Sequence, residues 1–192
     1  MTASVDKLLR CARVLAVGGL LISLGACASG AMPSQMAVSA DPALTMQASD
    51  PVYHQLKVGN VQGGSDTNPL WMSNVSNADF QAALESSLRN VNLMSDDLAK
   101  ANLAVSANII DMQRPLAGLD MTVTAKVRYT VAPAAGGAPV FDDTVAVAGT
   151  AKFGDALLGE ERLRMAEENA VRANIAEFLR RFEATLKAKS AG

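Results

Sequence analysis

The sequence predicts an α+β domain, with a mostly antiparallel four-stranded sheet that carries two helices on one face in the order β-α-β-β-β-α. The clearest observation is residues 121–131, where apolar side chains alternate with Thr, Lys and Arg, as in a strand with one buried and one solvated face. Apolar residues spaced by four, four and three positions from Phe80 to Val91 indicate an amphipathic helix. Residues 159–187 have the same helical period over a longer stretch.

Each of the first elements has its own local signal. From Val52 to Val61, apolar residues and His54 occupy alternate positions, which predicts the first strand. A Gly- and Asn-rich loop follows. Ser76 is suited to cap the first helix, because Asp79 follows three residues later in a spacing like that of a capping box. Alternation over 103–109 predicts the second strand.

The second half of the domain is predicted in the same way. The third strand, 121–131, leads through a loose Gly- and Pro-containing loop into a fourth strand from Val140 to Phe153. The last element is a helix over 159–187. Its first half presents small residues for close packing and its second half presents bulky ones; the small residues are Ala166, Ala170 and Ala173.

The N-terminus has the pattern of a secretory signal. Lys7, Arg10 and Arg13 precede the apolar run 14–24. A run of this length is too short for a bilayer span, which takes about 20 residues, and it is typical of the apolar region of a signal peptide. We therefore expect a signal peptide at the N-terminus, which is removed on export.

The apolar run ends in Leu24-Gly25-Ala26-Cys27. This segment resembles the lipobox of bacterial lipoproteins, in which an aliphatic residue and two small residues precede an obligatory Cys. The resemblance implies that Cys27 receives a diacylglyceryl thioether, that cleavage before it removes residues 1–26 as a lipoprotein signal peptide, and that its new amino group is acylated, for example with palmitate. Because Ala28 rather than Asp follows, the resemblance favours the outer membrane, with the protein facing the periplasm.

Beyond the signal, we expect two regions. Residues 27–50 would be the acylated Cys and a flexible tether, because Ala, Ser, Met, Gln and Pro dominate there without a clear period. A flexible chain of this length spans on the order of 25 Å. All eight aromatic residues lie further on, so residues 51–192 would form a single periplasmic α+β domain.

Charge and cysteine content exclude several functions. The formal net charge is −2, and removal of three basic residues and one acidic residue with the signal makes it −4. This balance argues against a nucleic-acid partner and leaves the acyl chains as the membrane anchor. With Cys11 removed and Cys27 acylated, the mature chain has no thiol for a disulfide, a redox pair or a metal site. No metal and no cofactor are expected.

The order of the elements also carries a family resemblance. The lipobox, a polar tether, a strand ending in Val58-Gly59-Asn60-Val61, a helix, an antiparallel run and a long C-terminal helix together are similar to small periplasmic lipoproteins of the YajG type. The resemblance covers most of residues 50–190 and lies in element order and composition, so no binding residue is transferred. It implies a non-enzymatic accessory role in the cell envelope.

Two hypotheses on function follow. In the first, this lipid-anchored protein binds an envelope protein or a glycolipid. Its candidate contacts are Lys126 and Arg128 on the outward face of the third strand, and Leu70 and Trp71 in the first loop, where Trp71 serves either as a contact or as a lid over the sheet.

In the second hypothesis, the protein is an envelope hydrolase or transferase that uses His54, its only histidine, with a nearby acid such as Asp111 or Asp120. The sequence around His54 supplies no nucleophile motif. The first hypothesis is therefore preferred, with His54 as a partly buried strand residue.

Overall fold

The computed structural model describes residues 29–67, 74–116 and 118–190. The elements in these ranges are, in order, a short helix α1 (Pro33–Met36), strand β1 (Leu56–Gln62), helix α2 (Asn77–Asn90), strands β2 (Leu103–Gln113), β3 (Met121–Pro133) and β4 (Phe141–Ala151), and a long helix α3 (Gly159–Ser190). The predicted α+β class and the four strands are thus confirmed. Three helices are described rather than the two predicted.

The sheet is mixed, so the prediction of a mostly antiparallel sheet is wrong. Its strand order is β1-β2-β3-β4, and β1 is parallel to β2, whereas the β2–β3 and β3–β4 pairs are antiparallel. The reason lies in the connections. Helix α2 carries the chain from the end of β1 back to the start of β2, and neighbouring strands joined by such a crossover run in the same direction.

Strand β1 is shorter than predicted, and His54 is not part of it. His54 lies in a turn with φ of 52°, and the strand begins at Leu56. A shift in the β1–β2 register between Val58 and Val61 turns Val61 inward, where it is buried. The simple alternation from Val52 to Val58 therefore does not describe this strand.

Helices α2 and α3 cover one face of the sheet and form the core with it. The predicted apolar face of α2 is confirmed, since Phe80, Leu84 and Leu88 are fully buried, and Ser76 Oγ accepts the predicted capping hydrogen bond from Asp79 N at 3.0 Å. The inward side chains of β3 are buried at every second position from Val123 to Val131. Aromatic residues of α3 and the sheet pack together in this core: Phe178 stacks on Tyr129 and contacts Phe141 edge to face.

The predicted small-residue half of α3 lies very close to the sheet. Ala166 and Ala170 are fully buried, and Ala170 faces Gly149 of β4. A Cβ atom added to Gly149 would lie 2.1 Å from Ala170 N. Gly149 therefore lets the helix backbone approach the strand directly.

The N-terminal segment corrects the prediction of a flexible tether up to residue 50. From Ala31 onward the segment packs on the domain, and five of its apolar side chains are buried in the main core: Ala31, Met36, Val38, Leu44 and Met46. Val38 N donates to Ser87 Oγ of α2 at 2.9 Å, and Asn90 Nδ2 donates to Val38 O at 2.8 Å. The packed domain thus begins near residue 31 rather than residue 51.

Candidate functional site

The sheet face opposite α2 and α3 is solvent-exposed, as the alternation in β3 predicts. Lys126 and Arg128 both lie on this face and are exposed. The neighbouring outward side chains, as given by the strand register, include the acids Asp111 and Asp142. The others are small and mostly polar: Ser106, Asn108, Thr122, Thr124, Thr130, Thr144, Ala146, Ala148 and Thr150. We refer to this surface as the outer sheet face.

The two predicted cations of the outer sheet face differ in their partners. The Arg128 guanidinium donates two hydrogen bonds to the Asp142 carboxylate, at 2.8 and 2.7 Å. These bonds raise the pKa of Arg128 and lower the pKa of Asp142. Lys126 lies between Asp111 and Ala146 in the register and forms no ion pair with any described residue. Lys126, unlike Arg128, can therefore be engaged by a partner without breaking an existing pair.

The pair between Arg128 and Asp142 is not among the predictions made from the sequence. The spacing of the two residues around the hairpin loop nevertheless indicates it. Both strands of the β3–β4 hairpin extend from the loop around Gly136, so their pairing follows from counting outward on either side. Thr130 is then opposite Asp142, and Arg128 is the diagonal neighbour two positions further along. Diagonal pairs lie within reach of long side chains.

The outer sheet face carries a small polar depression. It has a volume of about 180 Å³ and is lined by Asn60, Gln62, Ser106, Ala107, Asn108, Arg128 and Thr130. Pockets for small molecules have volumes of about 300–1,000 Å³ and are largely apolar. A larger depression of about 310 Å³, between Met46, Val52 and Leu186, lies elsewhere on the domain. The outer sheet face is thus shaped for an extended contact rather than for an enclosed ligand.

His54 is paired with Asp96, which is neither of the two acids named in the second hypothesis. Its Nδ1 lies 2.9 Å from Asp96 Oδ2, and its ring stacks on Tyr53 with centroids 4.1 Å apart. The Asp96 side chain is 87% exposed. The arrangement is therefore a pair at the protein surface, beside the start of β1.

The second hypothesis pairs His54 with Asp111 or Asp120, and the structure places both acids far from His54. Leu56, two residues after His54, is the register partner of Leu103, and Asp111 lies eight residues further along β2, about 26 Å away at the rise of a strand. Asp120 follows at that same distant end, where its Oδ1 accepts a hydrogen bond from Phe153 N at 2.9 Å. Neither carboxylate is within reach of the histidine.

Three predicted site residues, Cys27, Leu70 and Trp71, lie outside the described residues. None of the described helices is both long and apolar enough to cross a membrane. Within the described ranges, no group of three or more His, Cys, Asp or Glu side chains is placed to hold a metal ion. The candidate contacts that the structure does describe are therefore Lys126 and Arg128.

Comparison with protein-family models finds no match. Comparison with curated protein sequences finds none either. Solved structures do match in fold. The crystal structure of XCC0632 from Xanthomonas campestris, of the family described as DUF330, matches with a TM-score of 0.60 at 13% identity, and covers 86% of this chain and 100% of that one.

A candidate lipoprotein from Caulobacter crescentus CB15 matches with a TM-score of 0.50 at 10% identity, over 71% of this chain and 93% of that one. At these identities the likeness concerns the fold alone. The chain therefore shares its fold with a bacterial DUF330 protein and with a candidate bacterial lipoprotein.

Proposed function

We propose that the protein is a non-enzymatic accessory lipoprotein of the bacterial envelope, acylated at Cys27 and held in the outer membrane facing the periplasm. In this proposal it binds an envelope protein through its outer sheet face. The lipobox residues Leu24 to Cys27 support the anchor, and the fold shared with a candidate lipoprotein is consistent with it. The narrower similarity to YajG-type lipoproteins forms part of the same proposal.

The observation that carries the proposal is the exposed outer sheet face with Lys126 at its centre. Strands β2 and β4 each have 11 residues, so a four-stranded face of this length offers roughly 600 Å² at ordinary strand rise and spacing. This approaches the area of about 800 Å² that each partner buries in a standard protein interface. Its small side chains allow a flat partner to approach closely.

A protein fits this face better than a glycolipid does. Sequestering acyl chains requires an apolar cavity, because their burial is driven by the hydrophobic effect. The depression on the outer sheet face is small and is lined by Asn, Gln, Ser, Thr and Arg side chains. Such groups instead match the polar rim and hydrogen bonds of a protein interface.

The hydrolase or transferase hypothesis receives no support from the geometry of the described residues. It requires His54 to act with Asp111 or Asp120, and both lie at the far end of the sheet. The acid that does contact His54, Asp96, is highly exposed. We therefore do not propose a catalytic function.

Site-specific photo-crosslinking in intact cells tests the binding surface. A photoreactive residue at Lys126 or Thr124 should give a discrete protein adduct. The same residue at Arg180, an exposed position of α3, should not. The same adducts from all three positions, or from an unrelated lipoprotein of equal abundance, would contradict the proposal.

The anchor is tested separately. Cys27→Ser should abolish acylation and leave the uncleaved precursor in the inner membrane. Cys11→Ser is a matched control, because Cys11 lies within the predicted signal peptide and its loss should leave acylation and outer-membrane fractionation unchanged. Mass spectrometry of the N-terminal peptide and membrane fractionation give the two readouts. Continued outer-membrane fractionation of Cys27→Ser would refute the lipid anchor.

A further inference from the structure

The exposed apolar side chains are concentrated at one end of the molecule. Among the described residues, the large hydrophobic side chains that are exposed include six at the end of the sheet where β2 and β4 stop and β3 begins. We call these six residues the apolar end: Met32, Leu116, Leu119, Phe153, Leu157 and Leu158. Leu116 and Leu157 are almost completely exposed. Clustered exposure of this kind marks an interaction site.

The loops of the apolar end are tied to each other. Phe153 N donates to Asp120 Oδ1 at 2.9 Å, which joins the loop after β4 to the loop before β3. The Arg162 guanidinium lies 5.1 Å from the centre of the Phe153 ring, and its Nη1 donates to Leu157 O at 3.1 Å. None of these contacts uses a leucine side chain, and Leu116, Leu119, Leu157 and Leu158 are all exposed.

The first described residues of the chain lie at this same end. Ala31 N donates to Asn74 O at 3.4 Å, and Arg114 Nη2 donates to Asn74 Oδ1 at 2.9 Å. Arg114 is only two residues before Leu116. The point at which the N-terminal segment joins the domain is therefore next to one of the apolar loops.

The position of Ala31 limits how far the domain can lie from the acylated Cys27. Cys27 precedes Ala31 by four residues, and a chain of four residues spans at most about 14 Å when fully extended. A long tether of the kind that the sequence predicts would leave the orientation of the domain free. A tether this short places the end that contains Ala31 towards the membrane.

We propose that the apolar end docks on the lipid bilayer beside the acyl anchor, with its leucine and phenylalanine side chains in the membrane interface. This inference rests on the acylation of Cys27 in the function proposed above. Residues of this kind enter the region between headgroups and acyl chains to a depth of about 5–10 Å. The neighbouring loops carry Lys152 together with Asp120 and Asp155, so the attraction is hydrophobic rather than electrostatic.

Docking in this way would also orient the binding surface. Strands β2 and β4 end and β3 begins at the apolar end, so docking there directs these strands away from the membrane. The outer sheet face is then presented sideways into the periplasm, where Lys126 is accessible to a membrane-bound partner as well as to a soluble one.

Depth-dependent fluorescence quenching tests the docking. The acylated protein is reconstituted in phosphatidylethanolamine–phosphatidylglycerol vesicles that contain a nitroxide-labelled lipid. It carries a polarity-sensitive fluorophore on a single introduced thiol, at Leu157→Cys or at Leu98→Cys. Leu98 is the matched control, because it is also an exposed leucine but lies in the loop before β2, at the opposite end of the sheet. The acylated Cys27 does not react with the label.

We expect quenching at position 157 to be several-fold stronger than at position 98 and insensitive to added salt. Adding Leu116→Ser and Leu119→Ser should weaken the quenching at 157 while the protein stays bound to vesicles through its acyl chains. Equal quenching at 157 and 98 would overturn the inference. So would a fluorophore at 157 that is already shielded before vesicles are added, since a second copy or another protein would then cover this end.

Mass spectrometry of the same sample separates the two proposals. A protein without acyl chains on Cys27 would contradict the proposed lipid anchor. An acylated protein with no quenching at position 157 would refute only the docking of the apolar end, and the anchor would stand.

Discussion

The Tyr129 hydroxyl donates a 2.8 Å hydrogen bond to Asn174 Oδ1 in the centre of the core. Asn174 Nδ2 in turn donates to Ala125 O at 2.8 Å and to Val145 O at 2.9 Å. One buried side chain of α3 is therefore joined to both β3 and β4. Burial raises the pKa of Tyr129 well above its ordinary value, so its hydroxyl remains a donor over the physiological pH range.

The first prediction concerns this network. Tyr129→Phe should lower the free energy of unfolding by about 1–3 kcal/mol, because it leaves the buried Asn174 Oδ1 without its donor. Asn174→Ala should cost more, since it removes the bonds to two strands as well. Denaturant unfolding of both variants and of the double variant measures the coupling between the two side chains. Additive effects would show that the network does not act as a unit.

The second prediction concerns the contact between α3 and β4. Gly149→Val should destabilise the domain by about 3 kcal/mol or more, because the added side chain has to displace the helix backbone at Ala170. Ala148→Val is the matched control, since Ala148 is exposed on the outer sheet face and Val suits a strand. Thermal unfolding should separate the two variants clearly. A Gly149→Val protein as stable as the control would be inconsistent with this packing.

The Tyr129–Asn174 bond and the Gly149–Ala170 contact both involve elements that the sequence predicts clearly. Strict alternation in β3 identifies Tyr129 as inward, and the Ala-rich half of α3 indicates close packing, because local periodicity reflects which face is buried. Strand direction is not a local property. The parallel pairing of β1 with β2 depends on where α2 returns the chain, and the bulge near Val61 breaks the alternation on which the predicted strand from Val52 was based.

The N-terminal segment shows a second limit of prediction from the sequence. Met36, Val38, Leu44 and Met46 are buried, but they lie in a segment with only one short helix turn and two prolines. Buried residues in irregular backbone follow no regular spacing in the sequence. The segment therefore shows no helix or strand pattern, and its composition resembles that of a flexible tether. The apolar end could not be predicted from the sequence, because single leucines are common in loops. Leu116 and Leu157 lie in different loops, and only the fold brings these loops to one surface.

The third prediction tests whether this segment stabilises the domain. Met36→Ala should lower the free energy of unfolding by about 2–5 kcal/mol, as is usual for truncation of a large buried side chain. Met32→Ala, four residues earlier, should have little effect, because Met32 is 42% exposed. Denaturant unfolding of the two variants gives the comparison. Equal free energies of unfolding for the two variants would contradict the packing of this segment and would instead support a flexible tether.

The fourth prediction concerns the pH dependence of stability. Arg181 of α3 donates to Asp143 Oδ2 of β4 at 2.8 Å and to Glu177 Oε1 at 2.8 Å. These bonds lower the pKa of Asp143 and, together with Arg180, the pKa of Glu177. A carboxylate whose pKa is lower in the folded state stabilises the fold above its unfolded pKa, near 4. That stabilisation is lost as the pH falls through the folded pKa.

Arg181→Gln should therefore destabilise the domain at pH 7, by less than about 1 kcal/mol because the pairs are solvent-exposed. The difference from the unsubstituted protein should shrink below pH 4 as both carboxylates become protonated. Lys57→Gln controls for the loss of one positive charge, because Lys57 forms no ion pair with any described residue. Denaturant unfolding at several pH values between 7 and 2.5 measures both variants. A destabilisation by Arg181→Gln that stays constant over this range would mean that Arg181 acts through packing of its side chain rather than through its two carboxylate partners.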